Sequence, residues 1–450
     1  MDKLQALLPG KVSTEPEDLF CYGFDASGLE AEPAAVVWPQ SVQDVSTILQ
    51  FAFQQSIPVI SRGAGTGMTG GTVPSKGSII LSLEKMNKIL EIDTENMTVL
   101  VEAGVINGRL QEDLRRHNLF YPPDPTSMHY CTIGGNVAEN AGGPRALKYG
   151  VTGDYVMGLE AVLSDGRIIT TGVKTVKGVV GYDLSRLIVG SEGTLAVVTK
   201  IRLRVLPLPE DCITLLVLFK DLERAGDAVK NIIAGGLVPS TLEFLDHETI
   251  KAIEHFKPIG LPGDVQALLL VELDGHPAVI TRESEQLGSI CRKLGGDVIM
   301  AEDERSRKRL WDARRAISPA LFHLKPGKMN EDIVVPRNKI TEMLKTLKTL
   351  SAETGITIVN FGHAGDGNIH VNLMVDKNDQ DEYKKAVQLI SEIFRVTLEL
   401  GGTISGEHGV GLTKSDYISL EIKPDVLNLM REIKRVFDPR NILNPGKIFP

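Results

Sequence analysis

A glycine-rich loop directly after a short apolar strand is the feature that most restricts how this chain can fold. Five of the eleven residues from 61 to 71 are glycine, and Gly65 to Gly70 form a G-x-G-x-x-G pattern. A dinucleotide site of the Rossmann type needs a helix to open at this loop. Pro74 and Gly77 follow closely, and such a density of breakers prevents that helix. The sequence therefore argues against a Rossmann site and favours a diphosphate-binding loop, with a plain glycine turn as the alternative.

The loop offers groups that are suited to an anion. Backbone amides of small residues can turn inward and hold phosphate oxygens, and a neighbouring arginine adds positive charge. The residues that we predict to hold the phosphates are Arg62, Gly63, Ala64, Gly65, Thr66 and Gly67.

A second stretch, residues 131 to 143, belongs to a glycine-rich connection that we predict over residues 121–143, and it is too poor in large side chains to pack a core by itself. Small residues allow a flat heterocycle to approach the backbone, and short polar side chains can satisfy its nitrogens and oxygens. The residues predicted for this role are Thr132, Gly135, Asn136 and Asn140. A third cluster of the same kind contains Tyr182, Asp183 and the turn from residue 190 to 194.

Composition limits the class of protein. The 450 residues include 42% hydrophobic and 24% charged residues, which is typical of a soluble globular protein of two or three domains. The net charge of -9 is not gathered in blocks, which argues against a nucleic-acid partner. No signal peptide or membrane span is predicted, so the cytoplasm is the expected location. The four cysteines lie singly, which fits a reducing compartment and gives no iron-sulfur or zinc motif.

Pro207 and Pro209 mark a change of pattern along the chain. After them, a unit of strand, long helix and strand occurs twice, and such units usually build an antiparallel sheet backed by helices. A long helix that carries Leu310 and Leu321 on one face is expected to follow. We predict an α+β protein with domains over residues 1–208 and 209–402 and a C-terminal segment over 403–450.

Two histidines flank an Asp-Gly pair, the strongest short-range signal for a β-hairpin. If Asp366 and Gly367 form a two-residue loop, His363 and His370 are direct cross-strand neighbours. Facing residues have Cβ atoms about 4.5 to 5.5 Å apart, close enough for two imidazoles to share one cation. Asn372 lies on the same face, two residues beyond His370. The alternative is that the histidines only pack or cap the turn.

Glu407 offers a third metal ligand, in a segment with glycines on both sides. Neighbouring side chains on a strand point to opposite faces, so a modest bend would place Glu407 on the metal and His408 toward a substrate. A surface pair in a glycine turn is the alternative. Arg314 is the candidate cation for a substrate carboxylate, because it lies four residues before Ser318 on the same helical face. Arg315 is the neighbouring alternative, and a solvated helix face is the alternative for both arginines.

These motifs resemble a known superfamily of flavoproteins. Residues 63–71, the Pro-Pro-Asp-Pro run at 122–125, residues 132–143 and residues 190–194 are similar to the FAD domain of the vanillyl-alcohol oxidase and p-cresol methylhydroxylase (PCMH) superfamily. The C-terminal half resembles the group of the glycolate oxidase flavoprotein subunit, D-lactate dehydrogenase and D-2-hydroxyglutarate dehydrogenase. The resemblance covers nearly the whole chain. It implies a two-subdomain FAD-binding domain of PCMH type, a substrate (cap) domain with an antiparallel sheet backed by helices, and a C-terminal segment that returns to the FAD domain.

The resemblance also implies roles for individual residues. Its metal ligands match His363, His370 and Glu407, its general base matches His408, and Arg314 and Asn372 complete the catalytic set. A metal at the substrate hydroxyl lowers the pKa of that hydroxyl, a histidine accepts the proton, and the Cα hydride passes to flavin N5. Zinc is the expected metal, with manganese or iron as alternatives. The further FAD contacts that the resemblance implies are Pro123, Asp124, Glu192, Thr194 and Asn444.

The expected function is FAD-dependent oxidation of D-lactate or glycolate. Residues 63–71 lack the histidine that attaches flavin covalently in some members, so non-covalent FAD is expected. The D-2-hydroxyglutarate enzymes bind substrate with a lysine that has no clean counterpart here; Lys325 and Lys328 lie close by, but the aligned region reads Met329 to Asp332. The implied electron acceptor is an electron-transfer flavoprotein or an iron-sulfur subunit, with membrane association through partner subunits as an alternative location. Open alternatives are a D-2-hydroxyglutarate dehydrogenase, a homodimer, a zinc-dependent hydrolase and a non-catalytic flavin electron-transfer subunit.

Overall fold

The computed structural model describes residues 2–450. The chain forms two compact units. The first unit contains the residues up to Gly142, Val151–Leu208 and Glu407–Pro450, and the second contains Gly143–Gly150 and Pro209–Gly406. Across residues 2–450, none of the helices has the length and apolar character that a bilayer span requires.

The strands are numbered in chain order. They are β1 Val12–Ser13, β2 Ala35–Val37, β3 Val59–Arg62, β4 Ile79–Ser82, β5 Ile89–Asp93, β6 Thr98–Glu102, β7 Leu119–Phe120, β8 Val156–Val162, β9 Ile168–Gly172, β10 Val197–Arg204, β11 Leu206–Pro207, β12 Asp211–Phe219, β13 Thr241–Asp246, β14 Ala267–Gly275, β15 Asp297–Met300, β16 Gly327–Val334, β17 Thr357–His363 and β18 Asn368–Val375.

The α-helices are numbered in the same way. They are α1 Asp2–Leu7, α2 Pro16–Cys21, α3 Val42–Gln55, α4 Asn107–Arg115, α5 Ile133–Glu139, α6 Ala146–Tyr149, α7 Leu184–Ile188, α8 Leu222–Ala234, α9 His247–Phe256, α10 Pro277–Lys293, α11 Glu304–Arg315, α12 Ile317–Leu321, α13 Ile340–Thr354, α14 Gln380–Glu399, α15 Ile418–Glu421 and α16 Pro424–Phe437.

The first unit contains three sheets. A four-stranded sheet has the order β1-β2-β4-β3, in which β2, β4 and β3 are parallel. A five-stranded antiparallel sheet has the order β5-β6-β10-β8-β9, and β11 pairs with β7. No helix forms between β3 and β4, so the glycine loop connects two parallel strands without the helix of a Rossmann site.

Helix α5 lies inside the stretch that the sequence analysis treats as a glycine-rich connection, and that part of the prediction is wrong. The Thr132 hydroxyl accepts a hydrogen bond from the Gly135 amide at the start of α5, and Asn140 ends the helix in the left-handed conformation with φ 54°. A Cβ on Gly134 would lie 2.7 Å from the Cβ of Ala103. The glycine is therefore needed for close packing of the helix as well as for backbone access.

The second unit is built on one sheet of seven strands in the order β15-β12-β14-β13-β17-β18-β16. All neighbouring strands are antiparallel, which agrees with the predicted α+β fold with a helix-backed antiparallel sheet. On one face, apolar residues of the strands form a core cluster with residues of α9, α11 and α12. Val359, Phe361 and Met374 belong to this cluster, so the polar residues two or four positions away from them, His363, Asn372 and His370, lie on the same face of the sheet.

The single long helix that was expected around Leu310 and Leu321 is two helices. Helix α11 ends at Arg315, and α12 begins at Ile317. Pro319 explains the break, because proline lacks an amide hydrogen and its ring collides with the carbonyl four residues earlier. Arg314 and Ser318 therefore do not lie on one continuous helical face.

Lys434 holds the C-terminal segment of the first unit through a buried network. Its ammonium group donates to the Asp438 carboxylate at 2.5 Å and to the carbonyls of Thr194 at 2.7 Å and Leu443 at 2.8 Å. The Leu443 amide donates to the same carboxylate at 2.7 Å. The network ties helix α16 to the turn at residues 190–194 and to the last residues of the chain.

Replacing Lys434 by methionine is expected to lower the free energy of unfolding by about 3–5 kcal/mol, because it leaves the buried charge of Asp438 without its cation. Chemical denaturation followed by circular dichroism measures the change. The matched control is Arg435→Met on the exposed side of α16, which is expected to change stability by less than about 0.5 kcal/mol. Equal effects of the two substitutions would contradict this account.

Candidate active site

Four ionisable side chains form a row across neighbouring strands of the second unit. Glu243 on β13 is the cross-strand partner of His363 on β17, and His370 on β18 is the partner of Asp332 on β16. All four are at most 6% exposed. Buried charged groups of this kind require partners, so the row is a candidate for metal binding or catalysis.

The hairpin brings His363 and His370 together in a different register from the predicted one. The structure pairs His370 with Phe361, and residues 364 to 367 form the turn. The prediction of direct pairing is wrong because His363 extends β17 toward β13, where it pairs with Glu243. The shift is two residues, which keeps both histidines on one face. Their ring centroids are 5.3 Å apart, at 86° to one another.

Glu243 joins His363 to Arg314. One carboxylate oxygen lies 2.5 Å from His363 Nδ1, and the other accepts from Arg314 Nε at 2.6 Å. Burial raises the pKa of the Glu243 carboxyl, but the interactions with His363 and Arg314 outweigh burial and hold that pKa at about 2. Glu243 is therefore an ionised group inside the sheet.

Asp332 organises the opposite end of the row. Its Oδ1 lies 3.7 Å from His370 Nδ1, and its Oδ2 accepts from the Gly406 amide at 3.0 Å. Asn368 also donates to Asp332, at 2.5 Å. These contacts anchor the end of the second unit's chain at Gly406, directly before Glu407.

Asn372 lies on the predicted face but is held by the protein. Its oxygen accepts from Asn330 Nδ2 at 2.8 Å, and its amide nitrogen donates to the carbonyls of Val359 and His370. It is 0% exposed. These bonds fix the side chain beside His370.

Lys328 is a half-buried cation close to the predicted substrate-binding helix. Its ammonium group donates to Ser318 Oγ at 2.5 Å and lies 5.6 Å from the ring centroid of Phe322. Burial lowers the pKa of Lys328 to about 8. Arg314, which was predicted for the substrate carboxylate, stacks over Phe361 at 4.9 Å and is bound to Glu243.

In the first unit, Glu407 and His408 begin a bent segment that contacts the glycine loop. The Thr69 hydroxyl donates to the His408 carbonyl at 3.0 Å, and the Leu412 amide donates to the Thr69 carbonyl at 2.7 Å. Glu407 Oε1 and His408 Nε2 are 3.9 Å apart. The expectation that the two side chains point to opposite faces of a strand is wrong, because residues 407 to 411 form no strand and positive φ at Gly409 turns the chain.

Glu192 holds the same segment by its carboxylate. The amides of Val410 and Gly411 donate to its two oxygens at 2.8 and 2.7 Å. Its carbonyl accepts from Asn444 Nδ2 at 2.6 Å, and the same amide group donates to the Gly71 carbonyl at 3.0 Å. Glu192 and Asn444 thus connect the predicted cofactor loop to the segment that follows His408.

Arg62 lies beneath the glycine loop. It donates to the Phe24 carbonyl at 2.7 Å and to the Thr72 hydroxyl at 3.1 Å. A Cβ on Gly65 would lie 2.1 Å from the Arg62 guanidinium, and a Cβ on Gly63 would lie 2.3 Å from Thr132 Oγ1. The loop can follow this path only with glycine at both positions.

Other predicted cofactor residues also build the framework of the first unit. Asn136 hydrogen-bonds with Asn107, and the Pro123 carbonyl accepts from Asn107 as well. Asn140 accepts from the Gly153 amide at 2.7 Å, and the Thr194 hydroxyl donates to the Ser191 carbonyl. Tyr182, from the third predicted cluster, is 96% exposed.

Glu139, at the end of α5, is a half-buried residue with a buried carboxyl oxygen, and the sequence analysis did not single it out. Burial, together with the charges of Glu192 and Asp25, raises the pKa of its carboxyl well above the ordinary value. Within residues 2–450, its Oε2 has no hydrogen-bond partner, and a Cβ on Gly409 would lie 2.4 Å from that atom. A buried polar atom without a partner, next to glycines, fits a site in which a bound cofactor supplies the partner.

Sequence reasoning also missed Glu243, Asp332 and the position of Lys328. Glu243 interrupts the apolar strand β13 with an acid, which is a readable sign of a buried polar site, whereas Asp332 follows other polar residues in β16 and gives no such sign. Their partners are 120 and 38 residues away in sequence, at His363 and His370, and depend on the order of strands in the sheet. No local pattern reports that order.

Two family models match most of the chain. Residues 208–448 match the family model described as FAD linked oxidases, C-terminal domain, and residues 33–172 match the model described as FAD binding domain.

Relatives match over almost their whole length. The glycolate oxidase subunit GlcD of Bacillus subtilis (strain 168) is 46% identical, covering 95% of this chain and 92% of that protein. The D-lactate dehydrogenase of Anaerostipes hadrus is 37% identical, covering 100% and 96%. The D-lactate dehydrogenase of Archaeoglobus fulgidus is 40% identical, covering 93% and 92%.

A solved structure of p-cresol methylhydroxylase with substrate bound shares the fold. Its TM-score is 0.81 at 20% identity, with coverage of 99% of this chain and 95% of that one. The two matched domains, the relatives and the shared fold lead to one conclusion: the chain is an FAD-linked oxidoreductase and belongs to the FAD-linked oxidase family.

Proposed function

We propose that this enzyme oxidises a small D-2-hydroxy acid, glycolate or D-lactate, to the 2-oxo acid. The observation that carries the proposal is the similarity, over nearly the whole chain, to proteins named glycolate oxidase subunit and D-lactate dehydrogenase. The buried row of acids and histidines in the second unit supports it, because an alcohol must lose a proton as well as two electrons.

We propose His363, His370 and Glu407 as ligands of a divalent metal, with zinc as the expected ion and manganese or iron as alternatives. Two imidazoles and a carboxylate are a common ligand set for zinc. The contact between the Gly406 amide and Asp332 supports the assignment of Glu407, since it anchors the preceding residue to the strand next to His370. When bound, the metal would lower the pKa of the substrate hydroxyl.

His408 is proposed as the base that accepts the hydroxyl proton at an imidazole nitrogen, and Arg314 and Asn372 are proposed to orient the substrate. The contacts of Thr69 and Glu192 with residues 408 to 411 support the assignment of His408, because they fix its backbone independently of its side chain. When bound, FAD supplies the acceptor for the hydride that leaves Cα.

The proposed FAD site uses the glycine loop and the stretch around α5. The backbone from Arg62 to Gly67 is assigned to the diphosphate, and the unpartnered carboxyl oxygen of Glu139 supports a polar ligand nearby. The remaining residues assigned to FAD are Pro123, Asp124, Thr132, Gly135, Asn136, Asn140, Glu192, Thr194 and Asn444. Several act by shaping the cradle, as their hydrogen bonds within the protein indicate.

D-2-hydroxyglutarate is a second candidate substrate, and the position of Lys328 favours it. The sequence comparison found no clean counterpart of the lysine that binds this substrate, yet the Lys328 ammonium lies 2.5 Å from Ser318. A second carboxylate would pair with a second cation. A panel of glycolate, D-lactate and D-2-hydroxyglutarate, compared by kcat/KM, separates the two candidates.

The pH dependence of substrate capture tests the role of Lys328. Its pKa of about 8 means that the ammonium charge is present below pH 8 and is lost above it. If the charge attracts the substrate anion, kcat/KM falls as the pH rises through 8. Lys328→Met should remove this limb and lower kcat/KM at pH 7 by roughly 10- to 100-fold, the value of one charge-assisted hydrogen bond.

Lys325→Met is the matched control for Lys328. Lys325 pairs with Glu382 at 3.1 Å and is 40% exposed in its side chain, so its loss should leave kcat/KM and its pH profile unchanged. A profile without a limb near pH 8 in the unmodified enzyme would remove Lys328 from the substrate site.

Electrons are proposed to leave to a partner, either an electron-transfer flavoprotein or an iron-sulfur subunit. The name of the Bacillus subtilis relative, glycolate oxidase subunit GlcD, supports a multi-subunit enzyme. Co-purification of the tagged chain from its own cells, with and without glycolate in the medium, tests for such a partner.

One preparation of the purified protein distinguishes the proposed dehydrogenase from the two alternatives of other classes, a hydrolase and an electron-transfer subunit. Acid release of a yellow cofactor that chromatographs as FAD, together with dye reduction by glycolate or D-lactate, supports the proposal. Colourless protein that hydrolyses a phosphate ester in the presence of zinc would indicate a hydrolase. Yellow protein that reduces no dye with any substrate would indicate an electron-transfer subunit.

A further inference from the structure

Glu243 occupies a position in the site that none of the roles assigned above explains. The strand positions around it, Leu242, Phe244 and Leu245, are apolar and buried. The sheet instead holds a fully buried carboxylate between a predicted metal ligand and a predicted substrate-binding arginine. Burial of a charge is costly unless its partners are fixed in good geometry.

We propose that Glu243 is a positioning residue that sets the tautomer and orientation of His363 for metal binding and, with its other oxygen, the orientation of Arg314. This inference rests on the proposed function, in which His363 binds a divalent metal. It concerns a residue that has no role in that proposal.

The geometry determines what Glu243 does to His363. A carboxylate only accepts hydrogen bonds, so the 2.5 Å contact with Nδ1 requires the proton on Nδ1. In a neutral imidazole, the lone pair is then on Nε2, which is the atom left to bind a metal. The register between β13 and β17 also fixes the two side chains relative to each other, because Glu243 and His363 are direct cross-strand partners.

The other carboxylate oxygen of Glu243 binds Arg314, the residue that is proposed to orient the substrate. Arg314 Nε and Nη2 each lie 2.6 Å from Glu243 Oε2, and the guanidinium stacks on Phe361. The arginine is therefore held on two sides. One carboxylate fixes both groups, so its loss should weaken metal binding and also raise the KM for substrate in metal-saturated enzyme.

The test measures zinc affinity of the FAD-loaded enzyme after chelation of its metal, by competition with a chromophoric zinc indicator. Glu243→Gln is expected to weaken zinc binding about 10- to 100-fold, as substitutions behind a metal-bound histidine do. Glu243→Asp keeps the charge and is expected to recover part of the affinity. In zinc-saturated Glu243→Gln, KM for glycolate should rise more than kcat falls.

Glu272→Gln is the matched control. Glu272 is a buried acid on the neighbouring strand β14, and it accepts from Trp311 Nε1 at 2.9 Å and Thr214 Oγ1 at 3.2 Å. Its neutralisation reports the general effect of losing a buried carboxylate in this sheet. A purely structural role for Glu243 would shift the melting temperatures of both variants and leave both zinc affinities unchanged.

A measurement on the unmodified enzyme keeps the inference testable if Glu243→Gln does not fold. Nitrogen-15 NMR of labelled histidines in the metal-free protein is expected to show His363 protonated at Nδ1. Protonation at Nε2, or a folded Glu243→Gln variant that binds zinc as tightly as the unmodified enzyme, would overturn the inference. If the unmodified enzyme bound neither Zn²⁺ nor Mn²⁺, the proposed metal site itself would fail, and this inference with it.

Discussion

Replacing His408 by alanine is expected to slow flavin reduction by about 100- to 10,000-fold, the usual contribution of a positioned general base. FAD and metal content should stay at the level of the unmodified enzyme. The reason is structural: the His408 carbonyl accepts from Thr69, and Glu192 holds Val410 and Gly411, so the backbone keeps its path without the imidazole.

Anaerobic stopped-flow mixing with D-lactate measures this rate, and the absorbance spectrum and elemental analysis measure the cofactors. His117→Ala, an exposed histidine of the same unit, is the control and should reduce its flavin at the unmodified rate. Rapid reduction in His408→Ala would remove the residue from the base role. Loss of metal in that variant would instead identify His408 as a ligand.

Replacing His363 by alanine is expected to remove the metal and, with it, most of the activity. The side chain is 4% exposed and its ring centroid lies 5.3 Å from that of His370, so the substitution removes one of the two adjacent imidazoles of the proposed site. A bound metal contributes several kcal/mol to stabilising charge in the transition state, which corresponds to a fall in kcat on the order of 1000-fold. FAD content should not change, because the proposed FAD residues belong to the first unit and His363 to the second.

Elemental analysis after dialysis against buffer without metal measures the metal content per chain. Dye reduction measures the remaining activity. His323→Ala serves as the control, since His323 is an exposed histidine of the same unit. Full metal content and full activity in His363→Ala would refute the ligand assignment.

The hairpin shows what local pattern can and cannot predict. Alternation along a strand determines the face of each side chain, and it correctly placed His363, His370 and Asn372 on one face. The register was wrong by two residues because it depends on the pairing of β17 with β13, a strand more than 100 residues earlier in the chain. Non-local pairing of this kind leaves no trace near Asp366 and Gly367.

Glycine patterns had a similar limit. The loop after β3 was predicted correctly to lack a helix, since breakers act locally. The second stretch was taken as a loop, yet α5 forms there, because Gly134 packs on Ala103 and Thr132 caps the helix. Small residues permit close packing of a helix as readily as close approach of a ligand, and the sequence does not distinguish the two.

Some polar residues of the site could be predicted from the sequence and others could not. Histidines and acids in glycine-rich segments were recognised because their surroundings are unusual for a core. Glu243 and Lys328 were not, since their importance comes from contacts with His363 and Ser318 that only the folded sheet creates. The arrangement of the strands, rather than any motif, completes the site.

Anaerobic titration of the purified, metal-loaded flavoprotein with glycolate, D-lactate, L-lactate and D-2-hydroxyglutarate is the most direct test of the account. The account predicts that D-lactate or glycolate bleaches the yellow absorbance, that L-lactate does not, and that removal of metal abolishes the bleaching. An oxidised spectrum that persists with every acid of the panel, in protein that holds both FAD and metal, would contradict it.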